Sequence, residues 1–411
     1  MSYLVLAIFL AGFGYLCWKN FRLALGLFVF LLPSYFIRFQ IGPLPTTLLE
    51  LCFGILFVIY FIKNRGQFNK KIGNWRWPII LFLIASTIGI YISPDRTAAL
   101  GIWKAYFIEP ILFFAVLVSA VKKKQDWQYI FHGLALSALA ISILAIIQKF
   151  TGLAIPEAWA EERRVTAVFG YPNAVGLFLG PIIILAFSQI YNFFKEKKWL
   201  WSIFYSAVFA LSAIAVYFSK TEAAWIAVAA GIFIFCLFKK ELRLPAIIIA
   251  AILILIIGLT PVIRQTAIEK ITLQDWSGHV RRVTWSESLD MLGNNFIFGA
   301  GVSGYPLKII EYHRAGYIEI FQYPHNFILN FWSEIGLLGL FAWLWLVARA
   351  MLNGLKNHKE PFAAALIAII SAILIHGLVD VPYLKNDLAM MFWLWIALAF
   401  FIKNKKAVKR P

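Results

Sequence analysis

The chain has 411 residues, 62% of them hydrophobic, 17% aromatic and only 14% charged, with a mean hydropathy of +0.79. A soluble surface needs roughly a quarter of its residues charged, so the composition excludes a soluble multidomain protein and implies an integral membrane protein. The 38 basic against 20 acidic side chains, a net +18, would point to nucleic acid in a soluble chain; in a membrane chain they must first be sorted by side.

Apolar stretches of spanning length, about 17 to 25 residues, are predicted at 2–18, 22–38, 46–62, 77–93, 103–121, 128–148, 172–194, 199–218, 221–238, 244–263, 326–348, 361–379 and 388–402. Hydrocarbon offers no partner for an unpaired backbone group, so these segments must be helices. The expected fold is all-α, a polytopic membrane helical bundle of about 12–13 spans. Alternate breaks, at 19–22, 63–76, 122–126, 195–198, 239–243, 349–360 and from 403 onward, hold 24 of the 38 basic residues and four of the 20 acidic ones. That bias places them in the cytoplasm. The C-terminus is then inside and, if all thirteen stretches cross, the N-terminus outside. Most of the +18 becomes a topology signal, and no nucleic acid partner is needed to explain it. Residues 1–18 lack a basic n-region and a convincing small-residue cleavage site, and read as a retained span. Cys17, Cys52 and Cys236 all fall in apolar stretches, with no disulfide framework and no CxxC pattern. No repeat or linker divides the chain, so residues 1–411 are read as one membrane domain.

Two breaks on the outer side are long, 149–171 and 264–325, the second having roughly 60 residues where a few are usual. Long ordered loops usually carry function. Within the second, 278–292 (GHVRRVTWSESLDML) reads as an amphipathic helix with Val280, Val283, Leu289 and Leu292 on its apolar face. Gly293-Asn294-Asn295 ends it, and Gly299, Gly301 and Gly304 make a turn-rich connector.

The candidate chemistry collects on this outer side. Arg163 and Arg164 precede Asn173 and Pro172, which stand where a helix cap and its first turn would lie, so free N–H groups and a positive dipole end adjoin fixed guanidinium charge. That suits a phosphate or diphosphate; the alternative is interfacial arginines that snorkel or pair with Glu161 and Glu162. Arg281 and Arg282 would stand about 100° apart on a helix, so one of them faces a site. Arg281, four residues before Trp285, is the one expected inward, the alternative being a solvated face partnered by Glu287. In YPHNFILNFWSEIGLLG, His325 is fixed between Pro324 and a helix start, followed by Asn326 and, further on, Glu334. An imidazole held at the water boundary can take a proton from a hydroxyl; the alternative is a hydrogen-bonded interfacial histidine. His376 and Asp380, four residues apart in IHGLVDVPYL, are expected to share a face, and ionisable groups at membrane depth are kept mostly where they pair or line a polar cavity. Lys220 and Glu222 mark another charged outer turn, and Glu109 beside Pro110 is read as a buried partner for an arginine. No Walker loop, GxGxxG, HExxH or aspartate-rich pattern occurs, so neither a cofactor nor a metal is expected. A cationic, histidine-containing pocket reached laterally by lipid points to a lipid-linked phosphate as substrate.

In order, Arg164, Phe169-Gly170-Tyr171-Pro172-Asn173, Ser219-Lys220, Arg281 with Trp285, Gly299-Ala300-Gly301, His325-Asn326, Glu334-Ile335-Gly336-Leu337-Leu338-Gly339, and His376 with Asp380 resemble the O-antigen ligase and O-antigen polymerase superfamily. The resemblance covers roughly 164–380; HN followed by E-x-G-L-x-G after a long outer loop is its most specific part. It implies a helical glycosyltransferase of the polytopic, lipid-linked-donor (GT-C-like) class in the bacterial cytoplasmic membrane. Such an enzyme moves a glycan from an undecaprenyl-diphosphate carrier to an acceptor hydroxyl at the outer face, for surface polysaccharide or lipopolysaccharide assembly, with inversion and without metal. By resemblance Arg164 and Arg281 bind the donor diphosphate, and His325 activates the acceptor hydroxyl or orients it for attack. Lys220, Asn326, Glu334, His376 and Asp380 support them. Lys220 departs from the Ser-Arg of many relatives and offers a point charge instead of a bidentate fork. Ligase, repeat-unit polymerase and protein O-glycosyltransferase share this donor machinery, with lipid A core, another lipid-linked repeat or a protein hydroxyl as acceptor. A flippase would call for broken helices near the midplane and internal repeats, and the sequence suggests neither; a non-catalytic scaffold would not need arginine and histidine gathered on one face.

Overall fold

The computed structural model describes residues 3–42, 44–68 and 72–404. The basic tail from 405, and Lys70 and Lys71 of the break at 63–76, lie outside the described residues. In chain order the helices are α1 (Tyr3–Lys19), α2 (Phe21–Phe30), α3 (Leu48–Lys63), α4 (Arg76–Ile92), α5 (Arg96–Trp103), α6 (Glu109–Ala120), α7 (Lys124–Thr151), α8 (Glu157–Ala160), α9 (Asn173–Lys195), α10 (Trp199–Phe218), α11 (Glu222–Leu237), α12 (Lys240–Leu259), α13 (Pro261–Ile271), α14 (Trp276–Asn294), α15 (Tyr305–Lys308), α16 (Phe327–Lys356), α17 (Ala363–Gly377) and α18 (Asn386–Asn404). Each predicted apolar stretch has a helical counterpart, and the fold is an all-α polytopic bundle. Among the described residues seven helices are long and apolar enough to cross a membrane, and the count of thirteen rests on shorter ones such as α1, α11, α17 and α18.

The departures have local causes. The stretch 22–38 is a ten-residue helix followed by a 3-10 turn at Leu32–Phe36 with Pro33 in its first turn. Arg38–Ile41 and Leu44–Thr47 then form an antiparallel hairpin, with Phe39 opposite Thr46. Thr47 and Glu50 close it into α3 through a reciprocal capping box. The stretch 103–121 begins earlier, at Arg96, where Asp95 accepts from the N–H groups of Thr97 and Ala98; α5 and α6 are joined by a π turn at Lys104–Ile108. Lys104 in that turn, itself exposed, pairs with Glu50 at 3.1 Å and Glu109 at 3.6 Å, so the partner of Glu109 is a lysine and not an arginine.

Helix α18 is buried nearly all round, as a helix apolar on every face must be when it lies centrally, and α4, α6, α16 and α17 pack about it or one another. Helices α2 and α7 cross closely enough that a Cβ on Gly133 would lie 2.2 Å from the Gly26 carbonyl oxygen, the small-residue contact that lets membrane helices approach. No residue of α12 is buried among the described residues; Leu242 and Ala246 pack partly against the core and most of its other apolar side chains are exposed.

Contrary to the expectation of unbroken spans, α16 is interrupted. Ile335 and Gly336 leave helical geometry, Gly336 with φ +67° and ψ −176°. The glycine-rich connector fills the gap: the N–H groups of Ala300 and Gly301 donate to the Ser333 carbonyl at 2.6 and 3.1 Å, and Leu337 N–H donates to Ile297 O at 3.0 Å. The Ser333 carbonyl and the Leu337 N–H at the break are thus satisfied inside the protein, as the apolar environment requires. Gly336 is needed twice over, because its backbone region is open essentially to glycine alone and a Cβ there would sit 2.4 Å from Ile297 O. Gly336→Ala is expected to cost on the order of 3 kcal/mol, read as a lowered midpoint of thermal unfolding in detergent; an unchanged midpoint would contradict this account of the break.

Candidate functional site

Four segments meet at one end of the bundle. Residues 152–172 precede α9, residues 219–221 join α10 to α11, the 260–326 region carries α13, α14 and α15, and residues 378–385 join α17 to α18. Backbone and side-chain hydrogen bonds tie them together: Val165 N–H to Phe218 O at 3.4 Å, Thr221 Oγ1 to Pro172 O at 3.4 Å, and Asn326 Nδ2 to Leu378 O at 2.9 Å.

Asp380 is the centre of the arrangement. It is 1% exposed. Its Oδ1 lies 3.3 Å from His325 Nδ1 and accepts from Val381 N–H at 2.8 Å, while its Oδ2 accepts from Asn173 Nδ2 at 2.8 Å and lies 3.8 Å from His376 Nε2. Burial alone would raise this carboxyl; the hydrogen bond and charge of His325, the charge of His376 and the Val381 N–H outweigh it and bring it from 3.8 down to about 2. Because the folded value is the lower one, the stability linked to this ionisation is present above pH ~4 and is lost as pH falls through about 2. At any pH where the protein works, Asp380 is therefore an anion. An anion facing His325 Nδ1 favours the tautomer with its proton there. The other ring nitrogen, Nε2, has no protein partner among the described residues and is left to accept a proton.

His325 sits at φ +49°, a left-handed conformation that a non-glycine residue holds only when its surroundings impose it. Pro324 precedes it, Asn326 caps α16 by accepting from the N–H groups of Ile328 and Leu329, and the ring of Phe321 meets the imidazole edge-on at 5.0 Å. Asn326 thus serves as the cap and as a tie to Leu378, next to the site.

Helix α14 lies over this cluster. Asp275 caps it, and Arg281 and Trp285, one turn apart, both face the cluster: Arg281 Nε donates to Val379 O at 3.1 Å and Trp285 Nε1 to Pro324 O at 2.8 Å. Arg281 is the inward arginine, as expected, and Arg282 is exposed. The terminal nitrogens of Arg281 make no hydrogen bond to the described residues. The expected apolar face of α14 is corrected in part, since Leu289 is exposed and Glu287 and Ser288 are buried beside Met291 and Leu292. Glu287 serves neither arginine of the helix; it accepts from His313 Nδ1 and from the N–H groups of Arg314 and Ala315, which hold its carboxyl low against the opposing effect of burial.

Arg164 is built in the same way at the neighbouring turn. Its Nε donates to Ser219 O at 3.2 Å and its guanidinium lies 4.8 Å from the Trp159 ring centre, leaving the terminal nitrogens without a hydrogen-bond partner among the described residues. It joins the Asp380 cluster through Thr221, Pro172 and Asn173 and does not touch it. Two expectations need correction here. Asn173 does not cap α9; Pro172 occupies the cap position and the amide of Asn173 is turned to Asp380. Lys220 is exposed, with φ +52°, and pairs with Glu162 at 3.0 Å, so it faces away from the cluster.

Glu334 is fully buried but belongs to the break in α16, where its Oε2 accepts from Ser303 N–H at 2.6 Å. It holds the connector and not the His325 side chain. His376 reaches Asp380 as expected, from the last turn of α17. A lysine that the sequence reading passed over is also present. Lys385, 8% exposed, lies 3.5 Å from Asp387 Oδ2 and 3.9 Å from the Phe169 ring centre, with Tyr35 and Tyr171 alongside. Its signal was a lone lysine between the apolar runs VPYL and LAMM.

Residues 207–344 match the Wzy_C family model, described as O-antigen ligase. The matched segment is similar to the O-antigen ligase superfamily. In the matched segment lie α11 to α15, most of α10 and more than half of α16, hence Lys220, Arg281, His325, Asn326 and Glu334; Arg164, Asn173, His376 and Asp380 lie outside it and are brought to it by the fold. No curated protein matches the chain. The superfamily is one of multi-pass membrane glycosyltransferases of ligase and polymerase type, acting in general on lipid-linked glycans and acceptors.

Proposed function

We propose that the protein transfers a glycan from an undecaprenyl-diphosphate carrier to an acceptor hydroxyl at the outer face of the bacterial cytoplasmic membrane, with its C-terminus inside. The observation that carries this reading is the pairing of His325 Nδ1 with the buried Asp380, beside an arginine whose Nε is bonded to the residue preceding Asp380. His325 Nε2 removes the acceptor proton as the acceptor oxygen forms its bond to the anomeric carbon. The bond from that carbon to the diphosphate oxygen breaks, and the leaving diphosphate takes the electron pair. Arg281, and Arg164 from the neighbouring turn, hold the diphosphate, and their fixed charges stabilise the negative charge that grows on it more than they stabilise the ground state. A single displacement of this kind inverts the anomeric configuration.

The same donor machinery serves ligation, repeat-unit polymerisation and transfer to protein, and the acceptor decides among them. The flippase reading gains nothing from the break in α16, because the connector fills that break where a transporter would leave it lining a substrate path. Deleting the gene tests the reading: glycan of full length is expected to accumulate on the carrier lipid if the protein is a ligase, and single repeats to appear at the surface if it is a polymerase. An unaltered surface glycan with no accumulated carrier would overturn it.

A further inference from the structure

We propose that Trp285 is a positioning residue for His325, and that α14 sets the geometry of the proton-accepting pair as well as supplying the donor-binding arginine. This rests on the function proposed above. Trp285 Nε1 donates to the carbonyl of Pro324 at 2.8 Å, the peptide group immediately before His325. One turn earlier on the same helix, Arg281 Nε donates to the carbonyl of Val379, immediately before Asp380. The two bonds therefore fix, from one rigid element, the backbone on each side of the His325–Asp380 contact.

The need for such a fixture is visible in the pair itself. His325 holds φ +49°, which relaxes towards ordinary backbone unless its flanking groups are held. The backbone before it is held at the Pro324 carbonyl, and a proline nitrogen carries no hydrogen of its own, so the preceding peptide offers no second donor contact. The 3.3 Å separation of Nδ1 from Oδ1 is longer than the ~2.8 Å of a close charge-assisted bond, so small shifts of either backbone decide whether the bond closes when substrate is bound. Among the described residues Trp285 makes no hydrogen bond to the side chains of His325 or Asp380; its ring is half-buried against the small apolar cluster of Met291, Leu292, Tyr305 and Ile309, which anchors it from behind.

The test removes the N–H and keeps the ring. Benzothienylalanine at position 285, a tryptophan isostere with sulfur in place of the indole N–H, and separately Trp285→Phe, are compared with wild type in lipid nanodiscs. The donor used is carrier lipid with its attached glycan, extracted from cells lacking the gene. Both variants are expected to lose about five- to tenfold in kcat, the worth of one hydrogen bond, with KM for the donor changed less than twofold; 5-fluorotryptophan, which keeps the N–H, restores the rate. A second readout needs no turnover: in protein labelled with 15N-histidine, the His325 Nδ1 resonance, assigned by its loss in His325→Gln, is expected to move in both variants and not with 5-fluorotryptophan. An unmoved resonance, or a kcat equal to wild type, overturns the positioning role. So does a rise in donor KM with kcat intact, which would make Trp285 a binding residue. Should wild type itself transfer no glycan, the proposed function fails while the resonance still reports on Trp285.

Discussion

His325→Ala is expected to lower kcat for glycan transfer by about 10²–10⁴-fold, the usual worth of a positioned general base, while the donor still binds. The basis is the division of labour at the imidazole. Nδ1 faces the Asp380 carboxylate, which stays ionised down to about pH 2, and Nε2 carries no partner among the described residues. Removing the ring deletes the proton acceptor but leaves Asp380 with the Asn173 amide and the Val381 N–H, so the fold and the arginines should survive. Steady-state rates in nanodiscs, with donor binding measured on the same preparation, check this. A His325→Ala protein with wild-type kcat would remove His325 from the chemistry.

Arg281→Ala is expected to reduce kcat/KM for the donor by about 10²–10³-fold, comparable with deleting one preorganised charge-stabilising donor. Here both kcat and KM should change, since a guanidinium that holds the diphosphate in the ground state also meets the charge that develops as it leaves. Arg281→Lys should recover only part of the loss, because the Nε bond to Val379 O requires the guanidinium's geometry. Comparison of the three proteins over a range of donor concentrations measures both parameters; equal kcat/KM in all of them would contradict a donor-binding role. The same substitution at Arg164 is expected to have the smaller effect, its side chain being held at Ser219 and Trp159, one turn of chain away from the Asp380 cluster.

Much of the architecture was legible because hydrocarbon permits few solutions. Twenty apolar residues at 199–218 have no alternative to a helix, and α10 runs over those same residues. The inward choice of Arg281 was legible from helical period, since Trp285 one turn away marked the same face. What escaped was whatever long-range contact decides. Asn173 has the sequence signature of a helix cap, yet Asp380, 207 residues further along the chain, takes its amide instead. Glu334 looked like a site acid because it follows His325 in one motif; in three dimensions the break at Gly336 turns it to the connector at Ser303. Leu289 was placed on the apolar face of α14 with Leu292, yet it is exposed while Leu292 is buried, because the residues the helix buries include a glutamate satisfied by His313 and two backbone N–H groups. Such a buried carboxylate cannot be anticipated from hydrophobic pattern, since its donors come from a segment more than twenty residues distant.

The anomeric configuration of the transferred sugar gives the most direct measurement of the whole account. Wild-type protein in nanodiscs is supplied with lipid-diphosphate-linked glycan and acceptor, and the one-bond carbon–proton coupling at the reacting anomeric centre is read by NMR in donor and product. Direct attack by a hydroxyl deprotonated at His325, with the diphosphate leaving against Arg281, predicts opposite configurations in the two, and product formation slowed by about 10²–10⁴-fold in His325→Ala. Retention of configuration would contradict the single displacement, and inverted product formed at an undiminished rate by His325→Ala would contradict the site.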